Sequence, residues 1–471
     1  MTMRGKYLSL AQFCAWLMLA GCSQNPQAQF AWREATLDLL PQPRQTVQKT
    51  ILEHFGTPHE LVAWDRLPVN YGGVRGQVSQ LEGDKLIVTW RGDVQQVKSG
   101  DPVLWLSGPL ASTEQAADTV RNIDPATGAL WLQHSSGEIP AGAELAVGFG
   151  EIMRRGRMAY MKNCHHCHGV AGDGNGPTAR YLNPRPRDYR LGEFKFTSTK
   201  AGVKIRRDDL WRIIKEGIPG TYMPSFLLLS DEDTAAIVEY VRWLAMRGEM
   251  EKRIVDELTA DYSQKSIRTA IDRAKAAGEK PPSESQLRKE ATESFKEYLE
   301  QDYPGMVNDT ADIIADAWVQ AEDPENVVVP KVPRVADTPE SRERGRLLFL
   351  SDKAKCYTCH GPMGRGDGSS AEEFWAKPGS NEKYERRGLH DTWGNPLPPR
   401  DLTRGEYRGG RRPIDIFRRI HAGIKGTPMP AFGGTVLQDE DIWDLVNYVM
   451  SLPYQKPSPS GTGSTGSMAA R

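Results

Sequence analysis

Short runs of alternating apolar and polar residues mark the region between residues 69 and 149. The runs lie at residues 85–90, 103–106 and 129–132, and each follows a turn-forming sequence. Alternation of this length, bounded by Gly, Asp and Pro, predicts short strands joined by turns. We predict a small β-barrel or sandwich here. Three tryptophans are expected in its core: Trp90, Trp105 and Trp131.

Helical periodicity dominates the rest of the chain. An amphipathic helix is predicted at residues 46–55, and charged helices are predicted at 283–303 and 308–321. Ser230 opens a further helix, because Asp233 three positions later completes the sequence of a capping box. The chain is therefore predicted to be mainly α-helical.

Composition places the chain among multidomain globular proteins. Its 471 residues suffice for about three domains. Apolar residues make up 39% and charged residues 26%, and no apolar stretch of about 20 residues marks an integral membrane span. The formal net charge of −1 gives no basis for a nucleic-acid partner.

Two copies of the sequence Cys-x-x-Cys-His provide the clearest candidate chemistry. They consist of Cys164, Cys167 and His168, and of Cys356, Cys359 and His360. This spacing is that of a c-type haem attachment site, in which two thiols form thioethers to the porphyrin and the histidine supplies the proximal iron ligand. One copy could belong to a zinc site. Two copies, each followed by the same Met-containing sequence, predict two covalently bound haem c groups.

The Met-containing sequence recurs in the same register downstream of both motifs. Residues 220–226 and 426–432 share Gly, Thr, Met, Pro and Phe. A methionine that is held by a following proline suits a sixth iron ligand, because an unanchored methionine side chain is flexible. Met223 and Met429 are therefore predicted to bind the two irons opposite the motif histidines. Such ligation raises the reduction potential relative to that of two histidines.

Further matches indicate that a whole domain is repeated. The matched sequences are Arg155-Gly156-Arg157 with Arg344-Gly345-Arg346, Gly172-Asp173-Gly174 with Gly366-Asp367-Gly368, and Pro186-Arg187-Asp188 with Pro399-Arg400-Asp401. Arg187 and Arg400 are candidates either for hydrogen bonds to haem propionates or for ion pairs within a turn. The second copy has a longer stretch between Cys359 and Arg400, which is expected to form a haem-edge loop or a partner contact.

Both copies resemble class I cytochrome c, which has an N-terminal helix, Cys-x-x-Cys-His, a Met-bearing loop and a C-terminal helix. The resemblance covers just under half of the chain. It implies a multidomain, mainly α fold with two class I cytochrome c domains. A small β-rich domain, barrel or sandwich, precedes them, and a helical insertion separates them. The whole arrangement looks like the membrane-anchored diheme cytochromes c of bacterial respiratory chains.

The N-terminus has the features of an export signal. Arg4 and Lys6 precede an apolar segment, residues 7–19, that is too short to span a bilayer. The following sequence Leu-Ala-Gly-Cys ends at Cys22 and resembles the lipobox of bacterial lipoproteins, which implies lipidation of the Cys22 thiol. The alternative is an ordinary signal peptide that ends near a cysteine. We expect a lipoprotein on the periplasmic side of a membrane, with the choice between inner and outer membrane left open.

These segments predict the organisation of the whole chain. It comprises a signal peptide (1–21), an anchor and linker with a short helix (22–68), a β-rich domain (69–149), a first cytochrome c domain (150–247), a charged helical insertion and linker (248–336), a second cytochrome c domain (337–454) and a disordered tail (455–471). The insertion is expected to be a solvated spacer, with a docking role as the alternative.

Electron transfer is the function that the resemblance implies, so the chain is predicted not to be an enzyme and no residue receives a catalytic role. The expected partners are respiratory redox proteins, either a haem–copper oxidase or a quinol-oxidising complex. One alternative is a diheme peroxidase, which needs an open iron position. Another is the cytochrome subunit of a periplasmic dehydrogenase.

Three other histidines are not expected to bind iron. His165 and His166 occupy the variable positions of the first motif, where the attachment turn does not direct a ring to the iron. His390 lies in the longer stretch of the second copy and is expected to be an exposed loop residue.

Overall fold

Helices form most of the regular structure outside one β-barrel. The computed structural model describes residues 28–107, 118–133, 139–148, 150–377 and 381–455. Cys22, the predicted signal peptide and nearly all of the predicted tail lie outside these ranges. The α-helices within them are Glu34–Asp38, Pro41–Phe55, Glu151–Asn163, His165–His168, Arg207–Glu216, Asp231–Tyr262, Gln264–Ala276, Glu284–Gln301, Tyr303–Gln320, Pro339–Phe349, Cys356–His360, Pro413–Ala422 and Asp439–Ser451. No helix in the described ranges is long and apolar enough to cross a membrane.

A closed antiparallel barrel forms the predicted β-rich region. Its strands are β1 (Val74–Glu82), β2 (Lys85–Arg91), β3 (Pro102–Trp105), β4 (Asp118–Asp124), β5 (Ala129–Leu132) and β6 (Glu144–Val147). Their order is β1-β2-β5-β4-β3-β6, and the pairing of β1 with β6 closes the sheet. Alternate side chains fill the interior. Trp105 is buried as predicted, whereas Trp90 and Trp131 are only half-buried.

Two crossings of helices form the frameworks of the first unit (residues 150–247) and the second unit (residues 337–454). The crossing pairs are Glu151–Asn163 with Asp231–Tyr262, and Pro339–Phe349 with Asp439–Ser451. A glycine lies at each crossing point. A Cβ on Gly156 would lie 2.2 Å from the carbonyl oxygen of Ala236, and one on Gly345 would lie 2.1 Å from that of Asp444. These contacts explain the glycine of the repeated Arg-Gly-Arg sequence.

An edge-to-face aromatic pair accompanies each crossing. The ring centroids of Tyr160 and Tyr240 are 5.2 Å apart, and those of Phe349 and Tyr448 are 5.4 Å apart. The interplanar angles are 61° and 63°. A pair of this geometry contributes about 1 kcal/mol beyond the burial of its surface. The two units thus repeat both the close backbone contact and the aromatic contact beside it.

The helix Asp231–Tyr262, called the long helix below, continues across the expected boundary at residue 248. Ser230 caps it as predicted, because the Ser230 Oγ accepts a hydrogen bond of 3.1 Å from the Asp233 amide. The long helix therefore serves the first unit with its first half and the insertion with its second half.

The insertion packs as a helical layer and is not a solvated spacer. Phe295, Ile314 and Trp318 are at most 1% exposed, and they share one apolar core with the long helix. The expectation from charge content is wrong, because the charged residues cover the outer faces of helices whose inner faces are apolar.

The segment before the barrel belongs to the same core. The helix predicted at residues 46–55 begins earlier, at Pro41, and ends at Phe55. Val47, Ile51 and Phe55 are fully buried on its inner face and pack against the long helix. This part of the predicted linker is therefore an integral layer of the helical region.

Buried arginines of the long helix connect these layers. The Arg242 guanidinium lies 4.9 Å from the centre of the Trp318 ring, and its Nη1 donates to the Glu322 carboxylate at 2.9 Å. The Arg247 guanidinium lies 4.4 Å from the centre of the Phe30 ring and pairs with Glu251 of its own helix at 3.5 Å. Burial lowers the pKa of both arginines to about 10, so both stay charged at neutral pH.

Replacement of Gly156 by Ala should destabilise the first unit by about 2 kcal/mol, because the added methyl group overlaps the Ala236 carbonyl. Thermal unfolding followed by circular dichroism measures the change. Gly305→Ala is the matched control, since Gly305 is also helical and a Cβ there meets nothing within 4 Å. Equal melting temperatures for wild type and Gly156→Ala would contradict the close crossing.

Candidate haem sites

Each Cys-x-x-Cys-His sequence forms one helical turn. In the first turn the His168 amide donates to the Cys164 carbonyl at 3.0 Å, and in the second the Gly361 amide donates to the Tyr357 carbonyl at 2.8 Å. All four thiols are free and half-buried. Burial raises the pKa of Cys164 to about 12. Burial likewise raises the pKa of Cys356 to about 12, so the first thiol of each motif is uncharged at neutral pH.

The two motif histidines are held in the same way. The Nδ1 of His168 lies 3.4 Å from the Arg187 carbonyl oxygen, and the Nδ1 of His360 lies 3.2 Å from that of Arg400. A proton on Nδ1 leaves Nε2 free to bind a metal. Burial lowers the pKa of His168 to about 4, so its ring is neutral at pH 7. The repeated Pro-Arg-Asp sequences thus supply a backbone acceptor for each ring.

A glycine-rich loop follows each histidine, and it corrects one predicted match. The Gly174 amide donates to the His168 carbonyl, and the Gly366 amide donates to the His360 carbonyl. Gly174 therefore corresponds to Gly366, two positions away from the register in which Gly-Asp-Gly matched Gly-Asp-Gly. Sequence identity favoured the wrong register, because both aspartates lie against the glycine that follows the motif histidine although they are at different distances from it in the chain. A Cβ on Gly169 would meet Asp173, and one on Gly361 would meet Asp367.

The two Met loops have the same hydrogen bonds. The Met223 amide lies 3.1 Å from the Thr221 hydroxyl, and the Met429 amide lies 3.2 Å from the Thr427 hydroxyl. In each loop that hydroxyl donates to the carbonyl of the isoleucine three residues earlier. The carbonyls of both methionines accept from the amides of the same two isoleucines. Both Met side chains are half-buried.

These residues fit a haem c group in each unit. The thiols are unpaired, the histidine Nδ1 atoms face carbonyl oxygens, and tight glycine contacts shape each turn: a Cβ on Gly176 would lie 2.4 Å from the His165 carbonyl oxygen. Comparison with known families agrees. The model of the family described as cytochrome c matches residues 153–245 and 343–453. These two segments are cytochrome c regions. These matches support covalently bound haem c and a role in electron transfer, and the predicted pair of cytochrome c regions is confirmed.

No curated protein sequence matches the chain significantly. One similar solved structure is described as a Kuenenia stuttgartiensis reducing HAO-like protein complex. The matched chain is 26% identical, with a TM-score of 0.41, and the match covers 63% of this chain and 95% of that chain.

The two cytochrome c regions face each other through equivalent helices, Arg207–Glu216 and Pro413–Ala422. Arg212 Nη1 donates to Asp415 Oδ1 at 2.7 Å across this interface. The equivalent residues are Arg418 and Asp209, and the Asp209 charge opposes the lowering of the Arg418 pKa that burial causes. Equivalent positions of the two helices thus carry opposite charges that act across the interface, as in a two-fold arrangement.

The long loop of the second cytochrome c region, residues 361–399, also contacts the first region. Lys195 forms an ion pair of 3.3 Å with Asp391, and both side chains are largely buried. The Arg187 guanidinium carbon lies 3.5 Å from the centre of the Trp393 ring. The sequence indicates this loop and Arg187 as candidates, but Lys195, Asp391 and Trp393 were not predicted, because nothing local marks the surface on which a loop packs.

His390 lies in the same loop and corrects a prediction. It is 8% exposed, and its ring stacks on that of Tyr384 with centroids 3.9 Å apart. His390 Nδ1 lies 2.9 Å from the Gly388 carbonyl oxygen. His390 is therefore a packed residue of the loop and not an exposed one. Pairing with Tyr384 could not be read from the sequence, because the loop folds back through irregular turns.

Asp415→Asn should weaken the interface between the regions by about 3 kcal/mol, because it leaves Arg212 and Arg412 without their shared buried carboxylate. Burial alone would raise the pKa of Asp415, but the bond to Arg412 and the charge of Arg212 lower it. The carboxylate thus contributes stability above its ordinary pKa of 3.8, and this contribution is lost as the pH falls through the lower folded value.

Urea unfolding at several pH values checks this expectation. The difference between wild type and Asp415→Asn should be complete at pH 6 to 7 and should shrink below pH about 4. Glu343→Gln, which removes a surface partner of Arg346, is the control and should have no detectable effect. A difference that stays constant down to pH about 2 would show that the carboxylate charge is not the cause.

Proposed function

We propose that this chain is a diheme c-type cytochrome that transfers electrons between periplasmic respiratory partners through two haems, each bound by His and Met. His168 and Met223 hold the first iron, and His360 and Met429 hold the second. A haem c iron supplies one-electron oxidation and reduction. No catalytic residue is proposed.

The observation that carries this proposal is the identity of the two Met loops. A methionine that serves only packing has no need of the same three backbone and hydroxyl contacts in two copies separated by an insertion. Thr221 and Thr427 fix the loop backbone before each methionine, and an isoleucine amide holds the methionine carbonyl. Such anchoring limits the freedom of a flexible thioether, which favours ligation of an iron. With both axial positions taken, neither iron offers a site for peroxide.

Exposed apolar residues indicate the face that meets a redox partner. Tyr222, Leu227 and Leu228 flank Met223 and are 64%, 70% and 102% exposed. The second Met loop continues into Gly433 and Gly434 and lacks comparable apolar side chains at those positions. We assign partner docking to the first Met loop, because contiguous exposed apolar residues are typical of interaction surfaces. The proposed partner is a haem–copper oxidase or a quinol-oxidising complex. The alternative is a periplasmic dehydrogenase.

The proposed location is the periplasmic side of a membrane. The sequence that ends at Cys22 supports lipidation of that residue, and more than one acyl chain gives stable anchoring. Retention of the protein in the membrane fraction, and its release by Cys22→Ala, would test this part of the proposal.

Removal of either cysteine pair should remove one haem. Cys164→Ser with Cys167→Ser, and Cys356→Ser with Cys359→Ser, should each halve the haem measured as pyridine haemochrome per protein, because a serine forms no thioether. His166→Gln, at a variable position of the first motif, is the control and should keep both haems. A wild-type ratio of one haem per chain would contradict the diheme proposal.

The near-infrared absorption of the oxidised protein tests the methionines, since charge transfer from Met to ferric iron absorbs there. Met223→Ala and Met429→Ala should each remove half of the band intensity and produce high-spin haem. Met158→Leu, a change in an exposed methionine of the preceding helix, should leave the band intact. A wild-type spectrum with a high-spin haem would reject closed coordination and would call for an assay of hydrogen peroxide turnover.

A further inference from the structure

Trp393 of the second unit has a buried polar atom with no protein partner. Its indole Nε1 is inaccessible to solvent, and no atom of the described residues accepts a hydrogen bond from it. The other tryptophan of the same loop differs, because Trp375 Nε1 donates to the Ser370 carbonyl at 3.0 Å. An unpaired buried N–H is unfavourable, so a group that accepts this hydrogen bond is expected.

The Arg187 guanidinium lies against the face of the same indole, with Cζ 3.5 Å from the ring centre. Stacking occupies the face of the guanidinium and leaves its N–H donors, which lie in the plane, available for a carboxylate. Three carboxylates act on the Arg187 charge, namely Asp391, Glu193 and Asp188, and among the described residues none of them accepts a hydrogen bond from its guanidinium. Asp188 pairs with Arg190 at 2.8 Å, and Asp391 pairs with Lys195 at 3.3 Å.

The matching arginine of the second unit has a different environment. Arg400 donates to the Glu406 carboxylate at 2.5 Å and to the Glu406 carbonyl at 3.1 Å, so a partner within its own unit satisfies it. Arg187 has a tryptophan from the opposite unit where Arg400 has a carboxylate. The two haem sites are therefore not equivalent at this position, although their backbones match.

The place of Arg187 identifies the acceptor. Its carbonyl oxygen lies 3.4 Å from Nδ1 of His168, so Arg187 is immediately beside the imidazole that binds the first haem. Haem c carries two propionate carboxylates, and these are the anions that the cofactor brings to this region. An indole N–H and a guanidinium on neighbouring side chains provide donors suited to one carboxylate.

We propose that Trp393 of the second unit and Arg187 of the first unit together bind one propionate of the first unit's haem. The inference rests on the proposed haem at His168. Both units then contribute side chains to the first haem site, and Trp393 is a positioning residue for the cofactor.

The second unit holds Trp393 in place from two sides. Asp391 accepts hydrogen bonds from the amides of Trp393 at 3.1 Å and of Asn395 at 3.0 Å, which fixes the turn. Gly426, three residues before Met429, lies against the six-membered ring of the indole, where a Cβ would come within 2.3 Å of Cζ3. The indole is thus wedged between the second Met loop and the arginine of the first site.

A propionate that accepts fewer hydrogen bonds has a less compensated negative charge. This charge stabilises ferric iron relative to ferrous iron. Trp393→Phe keeps the aromatic face and removes only the N–H. At pH 8 it should lower the midpoint potential of the first haem and leave that of the second unchanged. It should also raise the pKa of the propionate, so the pH below which the first haem's potential rises should move upward.

Spectroelectrochemical titration at a series of pH values measures both effects, and the Cys356→Ser, Cys359→Ser variant assigns the first haem. Trp375→Phe is the matched control. It removes an indole N–H from the same loop, but that N–H donates to a protein carbonyl. An unchanged first haem in Trp393→Phe, an equal change in Trp375→Phe, or a change confined to the second haem would overturn the inference.

Resonance Raman spectra of the wild type provide a second test that needs no variant. The propionate bending band of the first haem should shift when the protein is transferred to D2O, since an exchangeable indole proton bonds to the carboxylate. A band without a shift would reject the contact. Pyridine haemochrome separates the two proposals: a missing haem at His168 rejects both, whereas two bound haems with no effect of Trp393→Phe reject only this one.

Discussion

The contact of Gly156 with the backbone of the long helix is the constraint on which the rest of the molecule depends. Only a residue without a side chain lets the helix before the haem motif approach the Ala236 carbonyl so closely. That approach sets the distance between the attachment turn and the long helix. The long helix then extends beyond the first cytochrome c region and carries the insertion and the segment before the barrel. One close crossing thereby positions three parts of the chain.

Buried ion pairs determine how these parts lie on the long helix. Arg242 reaches Glu322 at the end of the insertion, and Glu251 accepts a hydrogen bond of 2.7 Å from the Thr36 hydroxyl in the N-terminal segment. A buried charge tolerates few arrangements, because each must leave it paired. These pairs add little net stability compared with the apolar core around them. We infer that they select one packing of the layers among several that would bury similar apolar area.

Duplication followed by divergence accounts for the relation between the two cytochrome c regions. The glycine crossings, the backbone acceptors for His168 and His360 and the Met loops are the same in both, since each serves the local geometry of one haem. The interface helices meet at equivalent positions, where Arg212 of the first region donates to Asp415 of the second. The difference lies in the long loop, through which the second region reaches the arginine beside the first haem site.

The sequence by itself determined the haem motifs, the Met loops, the repeat and the strands of the barrel, because each depends on residues close together in the chain. Only the tertiary structure decided that the charged insertion packs, that His390 is buried and that Gly174 corresponds to Gly366. It also brought Trp393 to Arg187. These outcomes join residues that are far apart in the chain, and such contacts depend on how whole helices and loops meet. No local pattern of residue types specifies these long-range contacts. By contrast, the spacing of two cysteines and a histidine specifies haem attachment directly.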